Sequence, residues 1–508
     1  MNRIAWRQWT ERDRKRCFTV FVAVFIWGLV AHAYGVLNLT ISHDSLNELF
    51  ASKKDILHRV GLGRFMVPVY QLLFHGRVSL PWLNGLLALC WISVSVWLTA
   101  CIFSIEDTAR LIFTAGIFTV NITVTALTAT YIHDLDADMF AVMLAVFAAF
   151  LWHRGGRTAW IGVPLLSLVL GFYQSVLSVF IALVMFVSIM ALLRGEKASE
   201  VVRKGLQAII VILLAGGVYL VLVKLSCLLA GTELSSTYNG LTKLFESKGG
   251  IWQYFILVLK AYYRWVLGFS RSSRSMYGML LLHAVFALPT AVAVIYAMRK
   301  QDLPTINKLL VLALGALLPL GMNISYVLDG GMDHDLMHYA SWLIYLFAIL
   351  ITEWYVASSE DKKLPRSCSA ATVLILSIIL ATDVQTANNA YIKKDLERQA
   401  TLSVMTSVRA EMNRVDNYIP GETPVVFIGK PQTGVNEIFP NISNITGVAL
   451  TSAITYADTY DAYFRYILQA PFLPSENEIP EQFTNAMTTF PEEGCIQWYD
   501  NILVVKLS

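Results

Sequence analysis

Carboxylates that could take part in acid–base chemistry gather at three places in this chain. The first pair is Asp44 and Glu48 in SHDSLNELF. If SLNELF begins a helix, Ser42 or Asp44 would cap it, and the two acids would share one face. The remaining acids are Asp134, Asp136 and Asp138 in DLDAD, and Asp333 and Asp335 in DGGMDHD. Any one of them has a structural explanation, because a single Asp often caps a helix and an acidic run often forms a solvated turn.

Transfer of a sugar from a lipid-linked phosphate is one reaction that requires such groups. A carboxylate takes the proton from the acceptor hydroxyl while that oxygen attacks the anomeric carbon. The departing phosphate requires cationic hydrogen-bond donors. Arg59 and Arg64 follow Asp44 closely, and Arg64 in GLGRF opens an apolar segment. We predict that these arginines bind the donor phosphate, although Arg64 in that setting could simply reach lipid headgroups.

Two further pairs of residues are weaker candidates for binding substrate. His334 and His338 are i,i+4 neighbours if their segment is helical, a spacing that can hold zinc. No third ligand is evident, so we predict no metal and no cofactor, and we favour hydrogen bonding to phosphate or sugar over packing alone. Lys260 and Arg264 stand four apart in an aromatic-rich helix. They could contact a lipid phosphate or a sugar, and membrane anchoring is the alternative.

The composition shows what kind of scaffold must position these groups. Hydrophobic residues make up 56% of the 508 residues and charged residues 15%, with a mean hydropathy of +0.56. Soluble domains average about 25% charged residues, so a soluble protein and a disordered chain are both excluded. The net charge of +3 argues against nucleic-acid binding, and six scattered cysteines do not make a disulfide framework. The sequence predicts a polytopic α-helical membrane protein.

About eleven apolar segments are long enough to cross a membrane. They lie near 18–40, 80–104, 109–130, 139–153, 158–171, 173–193, 206–230, 276–298, 308–327, 337–357 and 369–386. Lys and Arg concentrate in the N-terminal segment and in alternate loops, whereas 131–138 and 328–338 contain neither. The positive-inside rule therefore puts the N-terminus in the cytoplasm and the acidic loops outside. An odd number of crossings leaves everything after residue 387 outside as well.

The composition changes after residue 386, and we predict a domain boundary there. Residues 1–386 would form the transmembrane catalytic domain. Residues 387–508 would form a small extracytoplasmic α/β domain, starting with a soluble amphipathic helix over 387–420. PVVFIGK and NILVVKL are typical of buried strands, and TSAITYADTYDAYFRYILQA between them is predicted to be helical.

Several strings resemble a known family. They are SHDSL after the first span, GRF, LPWLNGLLAL entering the second span, and a stretch with Ala387, Asn388 and Tyr391 near the outer tail. In these and in the order of its spans, the chain resembles the Gtr-type O-antigen glucosyltransferases of the glucosyl transferase II family. The resemblance implies a GT-C-like fold in the bacterial inner membrane. It also implies transfer of glucose from undecaprenyl-phosphate-glucose to lipopolysaccharide O-antigen on the periplasmic side, which changes the serotype.

The resemblance also suggests partners and roles for residues. A small flippase and a glucosyl-lipid synthase would accompany the enzyme among the membrane lipids. Asp44 and Arg64 carry over to the family's pattern, and 134–138 matches the position of a second acidic loop in GT-C enzymes. We therefore expect Asp44 to be the general base, shared with or replaced by an acid of that loop. Arg64, helped by His334 or His338, would bind the donor phosphate, and the transfer would invert the anomeric carbon.

Two other functions remain open from the sequence. A transporter or flippase of lipid-linked saccharides would place paired ionisable groups near the middle of the membrane, often within inverted repeats. Here the acids lie at one face, and no repeat is visible. A polymerase of lipid-linked saccharides would also act at the outer face, but it would be expected to rely on arginines of the outer loops. Transfer of a single sugar without chain growth would distinguish the glucosyltransferase from both.

Overall fold

The computed structural model describes most of the chain. The described residues are 11–39, 41–48, 53–76, 78–235, 250–272, 279–300, 302–332, 334–439, 442, 445–448, 452–455, 457–470 and 472–508. Of the predicted site residues, Asp333 lies outside them.

Helices dominate the described part of the chain. In the first half they are α1 Glu11–Leu37, α2 His43–Glu48, α3 Lys53–Gly61, α4 Met66–Phe74, α5 Pro81–Phe103, α6 Thr108–Thr119, α7 Ile122–Thr130, α8 Leu135–Arg154, α9 Gly162–Phe172, α10 Leu177–Leu193 and α11 Ala198–Ala230. In the second half they are α12 Gly250–Ser272, α13 Met279–Arg299, α14 Thr305–Met322, α15 Ile324–Leu328, α16 Tyr339–Trp342, α17 Ile344–Ser358, α18 Lys363–Met412, α19 Val435–Ile438, α20 Ala457–Ala462 and α21 Glu481–Ala486. Short 3₁₀ helices cover Gly156–Ile161, Gln174–Val176 and Asp335–Met337, and a π-helix covers Tyr463–Ile467.

Within the described residues, nine helices are long and apolar enough to cross a membrane, or ten if one bent pair counts as a single span. They are Glu11–Leu37, Pro81–Phe103, Leu135–Arg154, Gln174–Leu193, Ala198–Ala230, Leu282–Arg299, Thr305–Met322, Tyr339–Ser358 and Lys363–Met412. This is the architecture of a polytopic helical membrane protein, with fewer full-length spans than the sequence predicts. The segment predicted near 158–171 falls on Gly156–Phe172, which is apolar but shorter than the other spans.

The bent pair consists of α6 and α7, which meet at an angle of 44°. Asn121 causes the break, because its side chain serves both helices. Its Nδ2 donates to the carbonyls of Ile117 and Phe118 at the end of α6, and its Oδ1 accepts from Val124 N–H in the first turn of α7. Such a cap favours a new helix start over continuation. After the break, α7 ends directly before the predicted acidic loop, and α8 begins within that loop.

α18 is a single helix of 50 residues and runs across the predicted boundary at 386. At 1.5 Å per residue it is about 75 Å long, more than twice the thickness of a bilayer core. Beyond Pro365 the helix contains neither proline nor glycine, so nothing in the sequence interrupts it. The last predicted span and most of the predicted soluble helix over 387–420 are therefore one element. The division into two domains stays a prediction.

The C-terminal region contains a four-stranded sheet in the order β2-β1-β4-β3. Its strands are β1 Pro424–Ile428, β2 Leu473–Pro474, β3 Ile496–Tyr499 and β4 Ile502–Lys506. β1 pairs in parallel with β2 and β4, whereas β3 and β4 are antiparallel. β1 and β4 coincide with the predicted strands PVVFIGK and NILVVKL. β4 is buried along most of its length, which agrees with its continuous run of apolar residues.

Candidate active site

α2 presents Asp44 because Ser42 starts the helix just before it. The Ser42 Oγ accepts a hydrogen bond from Ser45 N–H at 3.1 Å, which is the bond of a helix N-cap. The same Oγ donates to the carbonyl of Thr130 at 2.6 Å, at the end of α7. The prediction that Ser42 or Asp44 caps this helix is thus resolved in favour of Ser42. Asp44 stands in the first turn and is half-buried.

The GLGR turn after α3 positions Arg64. Gly63 has a φ of +77°, and a Cβ there would lie 2.4 Å from the hydroxyl oxygen of Tyr219 on α11. Only glycine fits both restrictions. The Gln174 Nε2 donates to that Tyr219 oxygen at 2.9 Å, which fixes the Tyr219 side chain beside the turn. Arg64 follows directly, and its guanidinium carbon lies 4.6 Å from the centroid of the Tyr173 ring.

Arg59 joins α2 to the start of α8. Its Nη1 donates to Asp134 Oδ1 at 2.7 Å, and its Nε donates to Glu48 Oε2 at 3.1 Å. Arg59 is 4% exposed and Asp134 7%. Burial raises the pKa of Asp134, but the neighbouring basic groups, Arg59 first, together outweigh burial and hold the pKa below its ordinary value. Burial by itself lowers the pKa of Arg59. The Asp134 and Glu48 carboxylates raise it by more, so the pKa of Arg59 lies above its ordinary value. Three predicted substrate-binding or catalytic groups therefore neutralise one another here.

Asp136 is fully buried and ties α8 to α5. The Asn84 Nδ2 donates to Asp136 Oδ1 at 2.9 Å, and Asn84 Oδ1 accepts from Leu80 N–H at 3.1 Å. The His75 Nε2 lies 3.5 Å from the other carboxylate oxygen. Both carboxylate oxygens therefore lie against protein groups. In the structure this predicted catalytic acid connects α8 to α5.

Asp138 differs from its two neighbours in the DLDAD sequence. It is 8% exposed and lies in the first turn of α8. The charged groups that act on it are Asp134, Arg64, Arg59 and Asp136. Asp138 and Arg64 also act on the hydroxyl of Tyr173, with opposite effects. Asp138 therefore lies near both Arg64 and Tyr173.

Asp44 is linked to Arg64 through Tyr131. Tyr131, the residue after α7, donates its hydroxyl hydrogen bond to Asp44. Burial and then the Asp44 carboxylate raise the pKa of Tyr131, while Arg64 opposes the shift. Asp44, Arg64 and Asp138 thus converge around two tyrosines, Tyr131 and Tyr173. This arrangement combines carboxylates with a cation, as a site for sugar transfer from a phosphate requires.

Sequence reasoning missed several members of this cluster. Tyr173 and Gln174 interrupt an apolar stretch, and Tyr131 ends another. Polar residues at the ends of membrane spans were therefore the sequence feature that could have identified them as site residues. Asp329 acts electrostatically on Tyr173 and Tyr219, although no motif marks it beyond the glycines that follow it. These residues come from distant segments of the chain.

The segment around Asp335 is arranged differently from the prediction. His334 and His338 flank a three-residue 3₁₀ helix, with His334 extended at φ −125° and ψ 145°, so the segment is not the helix that an i,i+4 pair would require. His334 is exposed and His338 buried. The Asp335 Oδ2 accepts from the backbone N–H of Thr446 at 2.8 Å and from its Oγ1 at 3.0 Å. Asp335 therefore binds protein backbone.

Lys260 and Arg264 lie on α12, which packs on α14 and α15. The Tyr262 hydroxyl donates to the carbonyl of Ala316, and Asn323 Nδ2 donates to the carbonyl of Ala261. Lys260 is exposed and Arg264 half-buried. The structure does not bring these two predicted groups into contact with the acids around Arg64.

Among the described residues, no group of three His, Cys, Asp or Glu side chains is arranged to hold a metal ion.

Comparison with known proteins gives one result. A family model described as Glucosyl transferase GtrII matches residues 33–352, more than half of the chain. The matched stretch contains all the predicted site residues and ends before the C-terminal sheet begins. No curated protein and no solved structure matches the chain.

Proposed function

The chain belongs to the GtrII glucosyl transferase family and is a polytopic membrane glycosyltransferase, and we propose that it transfers glucose from undecaprenyl-phosphate-glucose to lipopolysaccharide O-antigen. The observation that carries this proposal is that Asp44 and Arg64 both lie near Tyr131, while Arg64, stacked on Tyr173, also lies near Asp138. Carboxylates beside a cation are the groups that sugar transfer from a phosphate requires. Family membership favours this reaction over the transporter alternative.

Asp44 acts as the general base in the proposed mechanism. Its carboxylate accepts the proton of an acceptor hydroxyl as that oxygen forms a bond to the anomeric carbon of glucose. The bond from this carbon to the phosphate oxygen breaks, and undecaprenyl phosphate leaves with the electron pair. Because the displacement is direct, the configuration at the anomeric carbon inverts. Tyr131 supports Asp44 by a hydrogen bond and orients the carboxylate.

Arg64 binds the phosphate in this scheme. A guanidinium forms two parallel hydrogen bonds to phosphate oxygens and stays charged, so it stabilises the negative charge that develops on the leaving group. The GLGR turn and Tyr173 restrict its conformations, which lowers the cost of ordering it at the transition state. The lipid tail would extend from this point between membrane-spanning helices.

The surroundings of the acids support Asp44 over the residues of the DLDAD sequence. Arg59 already neutralises Asp134, and Asp136 is enclosed. Asp138 is the second acid at the site, where it orients a sugar hydroxyl or shares the role of base. Glu48 and Arg59 then act by holding α2 against α8.

In this proposal the reaction takes place at the periplasmic face of the bacterial inner membrane. Lys and Arg in alternate loops favour a cytoplasmic N-terminus, which puts the acidic loops and the C-terminal sheet in the periplasm. The C-terminal region helps to bind the O-antigen. A glucosyl-lipid synthase and a small flippase supply the donor, and the modified glycan changes the serotype.

The proposal is tested by glycan analysis of O-antigen from membranes that contain this chain and are supplied with undecaprenyl-phosphate-glucose. We expect one glucose per acceptor repeat, without growth of the chain, and no product in the absence of the lipid-linked donor. The Asp44→Asn and Arg64→Ala variants, checked for normal abundance in the membrane, should give little product. Near wild-type modification by both variants would end the assignment of the site, and chain growth would indicate a polymerase.

A further inference from the structure

A short segment of the C-terminal region is seated against the end of α7. Thr446 makes three hydrogen bonds to Asp335: its N–H and its Oγ1 both bond to Asp335 Oδ2, and its Oγ1 accepts from Asp335 N–H at 3.1 Å. Two residues on, the carbonyl of Val448 accepts a hydrogen bond from the Lys393 ammonium of α18. The segment 445–448 is therefore fixed from both sides.

Gly447 lies directly against Thr130. Its φ is +76°, and a Cβ at this position would lie 2.3 Å from Thr130 Oγ1 and 2.4 Å from Thr130 Cγ2. The Thr130 Oγ1 also donates to the carbonyl of Thr446 at 3.4 Å. No side chain fits between these two residues, so the segment sets the position of Thr130.

Thr130 in turn controls Asp44 by two routes. Its carbonyl accepts the hydrogen bond from Ser42 Oγ that anchors the N-cap of α2, and Asp44 lies two residues beyond that cap. The next residue, Tyr131, bonds to Asp44 itself. A shift of Thr130 would therefore move both supports of the Asp44 carboxylate together.

Apolar packing connects α2 to the same region. Ile41 and Leu46 are 3% and 0% exposed, and they belong to a buried cluster formed otherwise by α18 and the C-terminal region. Other members of this cluster include Met405, Val408, Tyr460, Phe464 and Leu503. The helix that carries Asp44 thus packs into a core supplied mainly by residues beyond the family match, which ends at 352.

We propose that Thr446 and Gly447 are positioning residues for the transfer step: through Thr130 they hold Asp44 in its reactive position. This inference rests on the proposed function, in which Asp44 is the base. It predicts that the C-terminal region contributes to the chemical step itself, in addition to any contact it makes with the glycan. Displacement of a catalytic group by about 1 Å is enough to cost a large part of the rate.

The test compares Thr446→Val with Thr446→Ser at saturating donor and acceptor. Valine keeps the size of the side chain but removes the Oγ1 bonds, and we expect kcat to fall about 10–100-fold with little change in the KM for O-antigen. Serine keeps the hydroxyl and should restore kcat to within about twofold. Hydrolysis of the lipid-linked donor in the absence of O-antigen should fall in parallel with kcat.

Gly447→Ala gives a second test, with Gly434→Ala as its control because open space surrounds Gly434. We expect the first to reduce kcat and the second to leave it unchanged. A Thr446→Val enzyme that keeps wild-type kcat and donor hydrolysis, and shows only a raised KM for O-antigen, would overturn the inference. If Asp44→Asn also keeps full activity, the role of Asp44 as the base fails; if Asp44→Asn is inactive, only the positioning role of Thr446 and Gly447 fails.

Discussion

The segment from α2 to α4 and the segment from His334 to His338 both carry acids close to basic residues, and the two segments use them in different ways. In the first, Asp44 and Arg64 both lie near Tyr131, while Arg59 binds two carboxylates of its own. In the second, the Asp335 Oδ2 accepts two hydrogen bonds from Thr446. The comparison shows that a charged residue near a site does chemistry only where its partners leave it a direction to act. The following variants test this contrast.

The largest effect is expected on stability, at Arg59. Arg59→Met leaves the buried Asp134 and the half-buried Glu48 without the cation that pairs with both, which should lower the free energy of unfolding by about 3–5 kcal/mol. The matched control is Arg414→Met, because Arg414 pairs with Glu411 at 2.6 Å on the surface, where such a pair contributes less than about 1 kcal/mol. Thermal unfolding of the detergent-solubilised proteins measures both. Equal losses would show that the Arg59 pair is no more than a surface contact.

Arg64→Ala should reduce glucose transfer about 10²–10³-fold, the effect of removing one donor that stabilises developing charge. Lys260→Ala removes an exposed cation on α12 and should change the rate less than about threefold. Steady-state transfer from the lipid-linked donor distinguishes the two. A strong loss of transfer in Lys260→Ala would indicate that the donor phosphate binds near α12.

Asp136→Ala should destabilise the protein by about 1–3 kcal/mol, because the amide of the buried Asn84 loses its acceptor. Asp136→Asn keeps an oxygen in that position and should lose less. Thermal unfolding and kcat are measured on the same preparations. If kcat of the stable Asp136→Asn enzyme collapses while its unfolding temperature stays unchanged, Asp136 reacts with substrate and our structural role for it is wrong.

The smallest effect is expected at His334. The side chain is exposed and is not paired with His338 on a helix, so His334→Ala should change transfer less than about twofold. Abundance in the membrane and initial rate are sufficient measurements. A tenfold loss of rate would show that this segment binds substrate after all.

Local patterns in the sequence predicted the membrane-spanning helices well, because hydropathy is a property of neighbouring residues. The acidic loops and the strands β1 and β4 could also be located, because each is marked by a run of similar residues that are neighbours in the sequence. Helical continuity was harder to predict. The bend between α6 and α7 depends on one asparagine, and α18 crosses a change of composition that resembles a boundary.

The roles of individual acids could not be predicted, because they depend on partners far away in the chain. Arg59 and Asp134 are 75 residues apart, and Asn84 and Asp136 are 52 apart. Three acids in one short motif therefore have three environments that spacing alone does not distinguish. The contact of Gly447 with Thr130 is more distant still and carries no sequence signal beyond a glycine.

The central claim is that Asp44 is the base of the transfer reaction, and kcat of Asp44→Asn at saturating donor and acceptor tests it most directly. The comparison is Asp416→Asn, the same change at an exposed position of the C-terminal region. We predict a fall of about 10²–10⁴-fold for Asp44→Asn and wild-type activity for Asp416→Asn. Full activity of a correctly folded Asp44→Asn enzyme, together with loss of activity in Asp138→Asn, would contradict the account and assign the base to α8.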